Sequence, residues 1–464
     1  MTEGTSGTLE ILRDAARRLV SGPGADFLEI RLEENRTLDV VSAGKNPGGS
    51  GPFIDSGGIC RALVDGSWGV CSFTDSDGIV GAADRAARLA ADAPVPGGVV
   101  LPSMTPCTDC FSPPSIEPLG DVPMRDKVFL CRRYCDLLGA SGSDVSARVH
   151  YSETLRTCSV VNSMGIDVME RQSLCGIRLE AVAGSGSVTV SRNLAHRGGF
   201  EYVRHREDVV EEMAGEMSLL AAAKRFSPGT YRAVLDPELA GILVHEAFGH
   251  LSEADYQEEN PAILDVLEPG RRVASEAVTI VDDATHFRCP GSAAWDDEGV
   301  RGRRTVLVSD GLLAGRLHSL ETAGRSGEEP TGNGRAGSWS SVPGSRMTCT
   351  YLEPGRGTLE DLLRMMDSGV YLKGAVGGAT DMDSFTFTAA TAWEVRGGRL
   401  AAPLEPVTIS GRVLDVLGAV VRVAGDLHLC SSIGGCSKGG DRYLPVSYGG
   451  PHVFLRELRM GRAG

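Results

Sequence analysis

Sixty of the 464 residues are glycine, while aromatic residues make up only 5% of the chain. Glycine loses more backbone entropy on folding than any other residue and weakens helix interiors. A chain this rich in it is cut into short pieces by turns, so we expect many tight loops and a strand-rich architecture rather than a helical bundle. The length exceeds one ordinary core, and at about 150 residues per domain two or three domains are expected. The 42% apolar fraction supports packed cores and argues against wholesale disorder.

The formal net charge is −15 and no Lys/Arg-rich block stands out, so no nucleic-acid partner is expected and the charge reads as a solubility feature. The first twenty residues carry Glu3, Glu10 and Asp14 and no long apolar stretch, which does not fit a secretion signal. Residues 407–423 look apolar but include Arg412, Asp415 and Arg422, so no membrane span is expected there. The twelve cysteines are scattered along the chain, a pattern that argues against a disulfide framework. Cys107 and Cys110 form a lone C-x-x-C without a second pair at finger-like spacing, and they read as thiols, as do Cys131 and Cys135.

Periodicity predicts helices over 7–20, 79–92, 124–138 and 209–222. Strands are predicted over 27–31 and 37–41, then as a hairpin 58–64 and 68–73 around Asp65-Gly66-Ser67, then as a meander over 145–154, 157–161, 166–172 and 175–183. Residues 93–118, crowded with Pro, Ser and Gly, read as a long loop. Pro228-Gly229 marks a boundary, giving an N-terminal domain over 1–227 and a C-terminal domain over 228–464. The second half opens with a strand at 231–235 and a helix with Asp236 as N-cap and Pro237 at its first position, running to about Gly249. Short strands at 278–282, 305–309, 313–318, 351–354 and 385–395 follow. The fold class is thus α+β: a mixed N-terminal domain, then a β-rich, mainly antiparallel, barrel-like or sandwich-like one.

Within that helix, His245-Glu246-Ala247-Phe248-Gly249-His250 spells H-E-x-x-x-H. Two histidines four apart share one helix face and bind zinc, with the glutamate as base. Here they are five apart, which on a regular helix turns them about 140° from each other instead of about 40°. Both reach one metal only if the helix is distorted or ends between them, and Gly249 is placed to end it. Neutral imidazoles are good zinc ligands, and a catalytic site keeps three protein ligands and an open position. A carboxylate beside the first ligand can take a proton from water and pass it to a leaving amine, and Glu246 is the candidate inside the motif. Glu253, Asp255, His286, His428, Cys430, Cys436 and His452 are candidates for the third ligand. Cys436 stands apart because glycines flank it from Gly434 to Gly440 and Lys438 would favour its thiolate. Glu253 and Asp255 are also candidates to hydrogen-bond the far nitrogen of a ligand histidine.

Taken together these residues resemble the TldD/PmbA metallopeptidases, in particular the TldD-like, metal-bearing branch. The resemblance rests on the histidine motif continued through Glu253 and Asp255, and on the loop Gly434 to Asp441, whose cysteine, the family's third zinc ligand, falls on Cys436. Asp297-Glu298-Gly299, Gly332-Asn333-Gly334 with Arg346-Met347-Thr348, Gly374 to Gly378, and Gly57 to Asp65 with Gly69 extend it over nearly the whole chain. Cys349, Ser437 and Asp441 depart from residues frequent in the family, which bears on substrate preference. The resemblance implies a cytoplasmic peptidase with one zinc ion per active subunit, cleaving unfolded or short peptides or trimming modified peptide precursors. It also implies an oligomer, either a homodimer or a pairing with a metal-free PmbA/TldE-like partner. Two other classes compete: a cysteine-nucleophile hydrolase using Cys436 with a histidine, and a non-enzymatic binding or scaffolding subunit.

Overall fold

Strands expected early in the chain as separate short pieces are joined into long ones. In the computed structural model, which describes residues 3–21, 24–44, 46–49, 51–75, 77–95, 98–184, 188–264, 267–381, 384–438 and 443–463, α1 (Glu3–Val20) leads into β1 (Phe27–Ala43). The polar run Glu33-Glu34-Asn35-Arg36 stays extended within β1. No glycine or proline breaks it, and Glu33 is buried against Arg156 at 2.7 Å rather than turned to solvent. β2 (Phe53–Val64) and β3 (Ser67–Phe73) form the expected hairpin, with Asp65 and Gly66 at φ 48° and 76°, the left-handed pair a two-residue turn requires.

α2 (Gly78–Asp92), β4 (Cys107–Phe111), α3 (Met124–Gly139), β5 (Ser146–Asn162), β6 (Ile166–Ala183), β7 (Val188–Arg197) and α4 (Glu207–Ala221) complete the N-terminal half. Its sheet runs β3-β2-β1-β5-β6-β4, with β7 pairing β6 beyond the end of β4. β4 lies inside the segment read as a loop. Residues three apart on a strand face opposite ways, so Cys107 packs near Trp295 while Cys110 is exposed beside Arg171 at 3.4 Å; the two thiols do not converge. One sheet face is covered by α1 and α2 over Ile30, Leu32 and Cys60, and by α3 and α4 over Val40, Tyr151 and Ile177. The other face meets the C-terminal half through buried ion pairs. Arg61 bridges Glu29 at 2.8 Å and Glu298 at 2.7 Å, and Arg156 bridges Glu33 and Asp297 at 2.7 Å each.

The second half contains β8 (Gly229–Leu235), α5 (Pro237–Val244), α6 (Ala254–Glu259), β9 (Ile280–Asp283), β10 (Arg304–Ser309), β11 (Cys349–Leu352), β12 (Gly369–Asp381), β13 (Ser384–Arg396), β14 (Val407–Arg412), β15 (His428–Ser431), β16 (Ser447–Gly450) and β17 (Val453–Arg462). β8, β12, β13, β14 and β17 pair in a ring that closes β17 onto β8, a small barrel. A second sheet runs β10-β9-β11-β16-β15. Among these pairs only β8–β12 and β11–β16 are parallel, so the half is β-rich and mainly antiparallel, as expected. The strand expected over 313–318 is not one: the ladder ends at Leu313, Leu317 makes an isolated bridge to Glu253, and His318 is buried in hydrogen bonds to Thr322 and Glu328. Residues 407–423 hold β14 and barrel-packed residues, and no helix among the described residues is long and apolar enough to cross a membrane.

Candidate metal centre

α5 starts where its capping chemistry says it should. The Asp236 carboxylate accepts from the Leu239 backbone N–H at 2.9 Å, and Pro237 takes the first position, where its missing donor costs nothing. Leu239, Ala240, Gly241, Leu243 and Val244 are all buried, because the helix packs between barrel strand β12 and the sheet strands β11, β16 and β15. At Gly241 the helix backbone meets β16 so closely that an added Cβ would lie 2.4 Å from the Gly449 Cα.

The five-residue histidine spacing is resolved at the end of this helix. Residues His245–Gly249 form a π-turn, which widens the helix so that hydrogen bonds and side chains five apart come into register. The His245 and His250 rings stand with centroids 5.5 Å apart. Gly249 does not end the helix: it keeps right-handed angles, φ −56° and ψ −50°. What it supplies is space, since a Cβ there would lie 2.0 Å from the Met347 Sδ. Gly249→Ala is therefore expected to destabilise the protein by about 1–3 kcal/mol in denaturant unfolding, the usual cost of overpacking. An unchanged midpoint would show that Met347 moves aside freely.

Cys436 approaches from the other side. Its backbone exchanges hydrogen bonds with Leu444 at 2.9 and 3.0 Å, and Arg346 donates to its carbonyl at 2.8 Å. The Cys436 Sγ lies 3.2 Å from the His250 Nε2, and one ligand atom from each of His245, His250 and Cys436 falls within 4.8 Å of the others. Of the remaining third-ligand candidates, His286 is engaged with Tyr351 and His452 with Asp426, away from this cluster. Cys430 and His428 sit on β15, and Gly439, Gly440 and Asp441 lie outside the described residues. Glu253 is fully buried and meets the His250 Nδ1 at 3.3 Å, which leaves Nε2 as the nitrogen turned toward Cys436. Asp255 touches neither histidine; it accepts from Lys438 at 2.6 Å and from the Ser345 N–H at 3.1 Å.

Lys438 therefore acts differently from the sequence expectation. It reaches Asp255 and, at 3.0 Å, Glu253, rather than the thiol. Burial alone would raise the Cys436 thiol; hydrogen bonds to His245 and His250, and their charges, overcome it and bring it down to about 6. Burial likewise opposes a charge on His250, but Cys436 and Glu253 raise its imidazole to about 10. Burial raises Glu253 too, yet His250, Lys438 and Arg346 hold it below the usual carboxylate range. Cys436 and His250 thus each favour the charged form of the other. Two imidazoles and a thiolate form a nitrogen–sulfur donor set that suits zinc and not the oxygen-seeking magnesium or calcium. His245 and Cys436 are buried, whereas Glu246 keeps 38% of its side chain exposed and sits 3.9 Å from the His250 Nε2, so the Glu246 side is the open one. Arg346, which orients both Cys436 and Glu253, carried no such signal in the sequence beyond its place in the Arg-Met-Thr run.

Comparison with known proteins gives consistent matches. The model for the PmbA/TldA metallopeptidase C-terminal domain matches residues 228–462, that for domain 1 matches 28–90, and that for the central domain matches 117–225. A metalloprotease of Synechocystis is 36% identical over 444 residues, covering 94% of this chain and 95% of that one. A protein of Saccharolobus solfataricus named zinc metalloprotease TldD homolog is 30% identical over 64% of this chain and 66% of its own. The crystal structure of TldE from Thermococcus kodakarensis superposes with a TM-score of 0.73 at 20% identity, over 98% of this chain and 100% of that one, a likeness of fold.

Proposed function

The chain belongs to the PmbA/TldA (TldD) metallopeptidase family, and on that premise we propose that it is a zinc-dependent peptidase acting on unfolded or short peptides. His245, His250 and Cys436 hold one zinc ion per active subunit, and Glu246 is the general base. The observation that carries this reading is the convergence of the three ligand atoms within 4.8 Å, with the partly exposed Glu246 carboxylate 3.9 Å from the His250 Nε2. Zinc, when bound, supplies a Lewis acid that acidifies water and polarises a peptide carbonyl.

The protein's own groups do the rest. Glu253 accepts the His250 Nδ1 proton, which fixes the tautomer that leaves Nε2 free as a ligand. Lys438 ties the Cys436 loop to the segment bearing Glu253 and Asp255, so the ligands from two distant stretches of chain are held in one frame. Glu246 is oriented by its place beside His245 in the π-turn; its carboxylate takes a proton from the attacking water and returns it to the departing amine. The active assembly pairs this chain with a PmbA/TldE-like partner or with a second copy of itself, a reading that rests on the family membership. All twelve cysteines are free, which supports a reducing, cytoplasmic location.

A second reading has one observation in its favour: the 3.2 Å contact of Cys436 Sγ with His250 Nε2 is also what a cysteine nucleophile and its base would show. Chelation separates the two. We expect cleavage of an unstructured peptide, assayed with and without a TldE-like partner, to stop with 1,10-phenanthroline and return on adding zinc. Cleavage indifferent to the chelator but abolished by alkylation would favour the cysteine reading, and zinc binding without cleavage would favour a binding subunit.

A further inference from the structure

The exposed face of α5 continues away from the metal centre. Glu238, Ile242 and Glu246 follow one another at four-residue steps, and all three are partly exposed while their neighbours Leu239, Gly241, Leu243 and Val244 are buried. They therefore share one partly exposed face of the helix. Beside this helix lie Tyr448 on β16, whose ring is 6.1 Å from that of His245, and Cys430 on β15, its cross-strand neighbour. Both Tyr448 and Cys430 lie close enough to Glu238 to feel its charge, and Tyr448 also feels Glu246. Tyr448 thus lies beside both Glu238 and the Glu246 end of the helix.

Glu238 is conspicuous for lacking a counter-charge. Among the described residues its carboxylate has no hydrogen bond and no ion pair. The cations nearby are taken: Arg192 pairs with Glu216 and, at 3.5 Å, with Glu212, and Lys373 pairs with Glu212 at 2.7 Å. Asp236 is occupied by the N–H groups of Leu239 and Gly374. Burial and the surrounding acids push the Glu238 carboxyl up to about 7, a cost that a bound cation would remove. A helix N-cap role does not account for it, because Asp236 already fills that position.

We propose that Glu238 is a substrate subsite: it binds a positively charged group of the peptide, an ammonium or guanidinium, while the scissile bond lies at Glu246. This rests on the peptidase reading given above. Eight residue steps separate Glu238 and Glu246 by about 12 Å along the helix axis. An extended peptide rises about 3.3 Å per residue, so the charge sits three to four residues from the cleaved bond. Ile242 and Tyr448 between them form an apolar stretch, which suits uncharged side chains at the intervening positions.

The test uses the zinc-loaded protein and a set of otherwise neutral peptides in which a single Lys is moved along the sequence against norleucine controls, each with a free or acetylated N-terminus. The expected result is a preference in kcat/KM for one Lys position, or for the free amine at one distance, of about tenfold or more, the scale of a charge-assisted contact. Glu238→Gln should abolish that preference while leaving zinc content and cleavage of the norleucine peptides unchanged. The position of the preference distinguishes a side-chain cation from the N-terminal ammonium. Equal losses on charged and neutral peptides, or a preference that survives in Glu238→Gln, would overturn the subsite and leave the peptidase reading intact. Absence of zinc-dependent cleavage for every peptide, norleucine controls included, would instead overturn the peptidase reading itself.

Discussion

Glu246→Gln is expected to retain a full complement of zinc and to lose peptidase activity by roughly 10²–10⁴-fold, the range that removal of a general base produces. The substitution keeps the size and polarity of the side chain but leaves no group able to take the proton of water. The geometry separates this residue from the ligands: its Oε2 is 3.9 Å from the His250 Nε2, and it stands outside the group formed by His245, His250 and Cys436. It is also more exposed than His245, His250 and Cys436. Metal analysis and steady-state kinetics on one preparation decide the point. Release of zinc from the variant would make Glu246 a ligand, and a wild-type rate would remove it from the chemistry.

Cys436→Ala should have the opposite signature, losing zinc and activity together. Removing one of three protein ligands strikes the site itself, and the fall in zinc affinity should exceed the roughly 10–100-fold that loss of an outer-shell partner costs. The Cys436 backbone is anchored independently of the metal, through Leu444 and Arg346, so it should keep its place when the thiol is removed. A competition titration with a chromophoric zinc chelator measures this directly. A variant that binds zinc as tightly as the parent would take the thiol out of the metal centre and return it to the cysteine-nucleophile reading.

How much of this was legible in the sequence depends on what kind of interaction placed each residue. His245, Glu246, His250 and Cys436 stood out because their side chains are the few that do this chemistry, and the Asp236–Pro237 helix start was legible because capping is local. The π-turn was visible only as a conflict, since a five-residue spacing does not fit a regular helix. Its resolution by a widened turn, with Gly249 making room for Met347, depends on packing from a strand-proximal residue a hundred positions away. Lys438 was assigned to the thiol by sequence proximity, but in three dimensions Glu253 and Asp255 compete for it and win. The polar middle of β1 hid a continuous strand because Glu33 is satisfied by Arg156, which lies far along the chain. Barrel closure was the least accessible feature. β12, β14 and β17 find their partners at long range, and the glycine run from Gly374 is a bulge within β12 that a linear pattern cannot distinguish from a loop.

X-ray absorption at the zinc edge of the purified protein tests the proposed centre most directly. The expected spectrum contains one sulfur scatterer near 2.3 Å and nitrogen or oxygen scatterers, two of them imidazole, near about 2.0–2.1 Å, with the sulfur shell absent from any zinc that Cys436→Ala retains. A wild-type zinc shell made only of nitrogen and oxygen, or a protein that holds no zinc when loaded with it, would contradict the assignment of His245, His250 and Cys436 as the metal site of a peptidase.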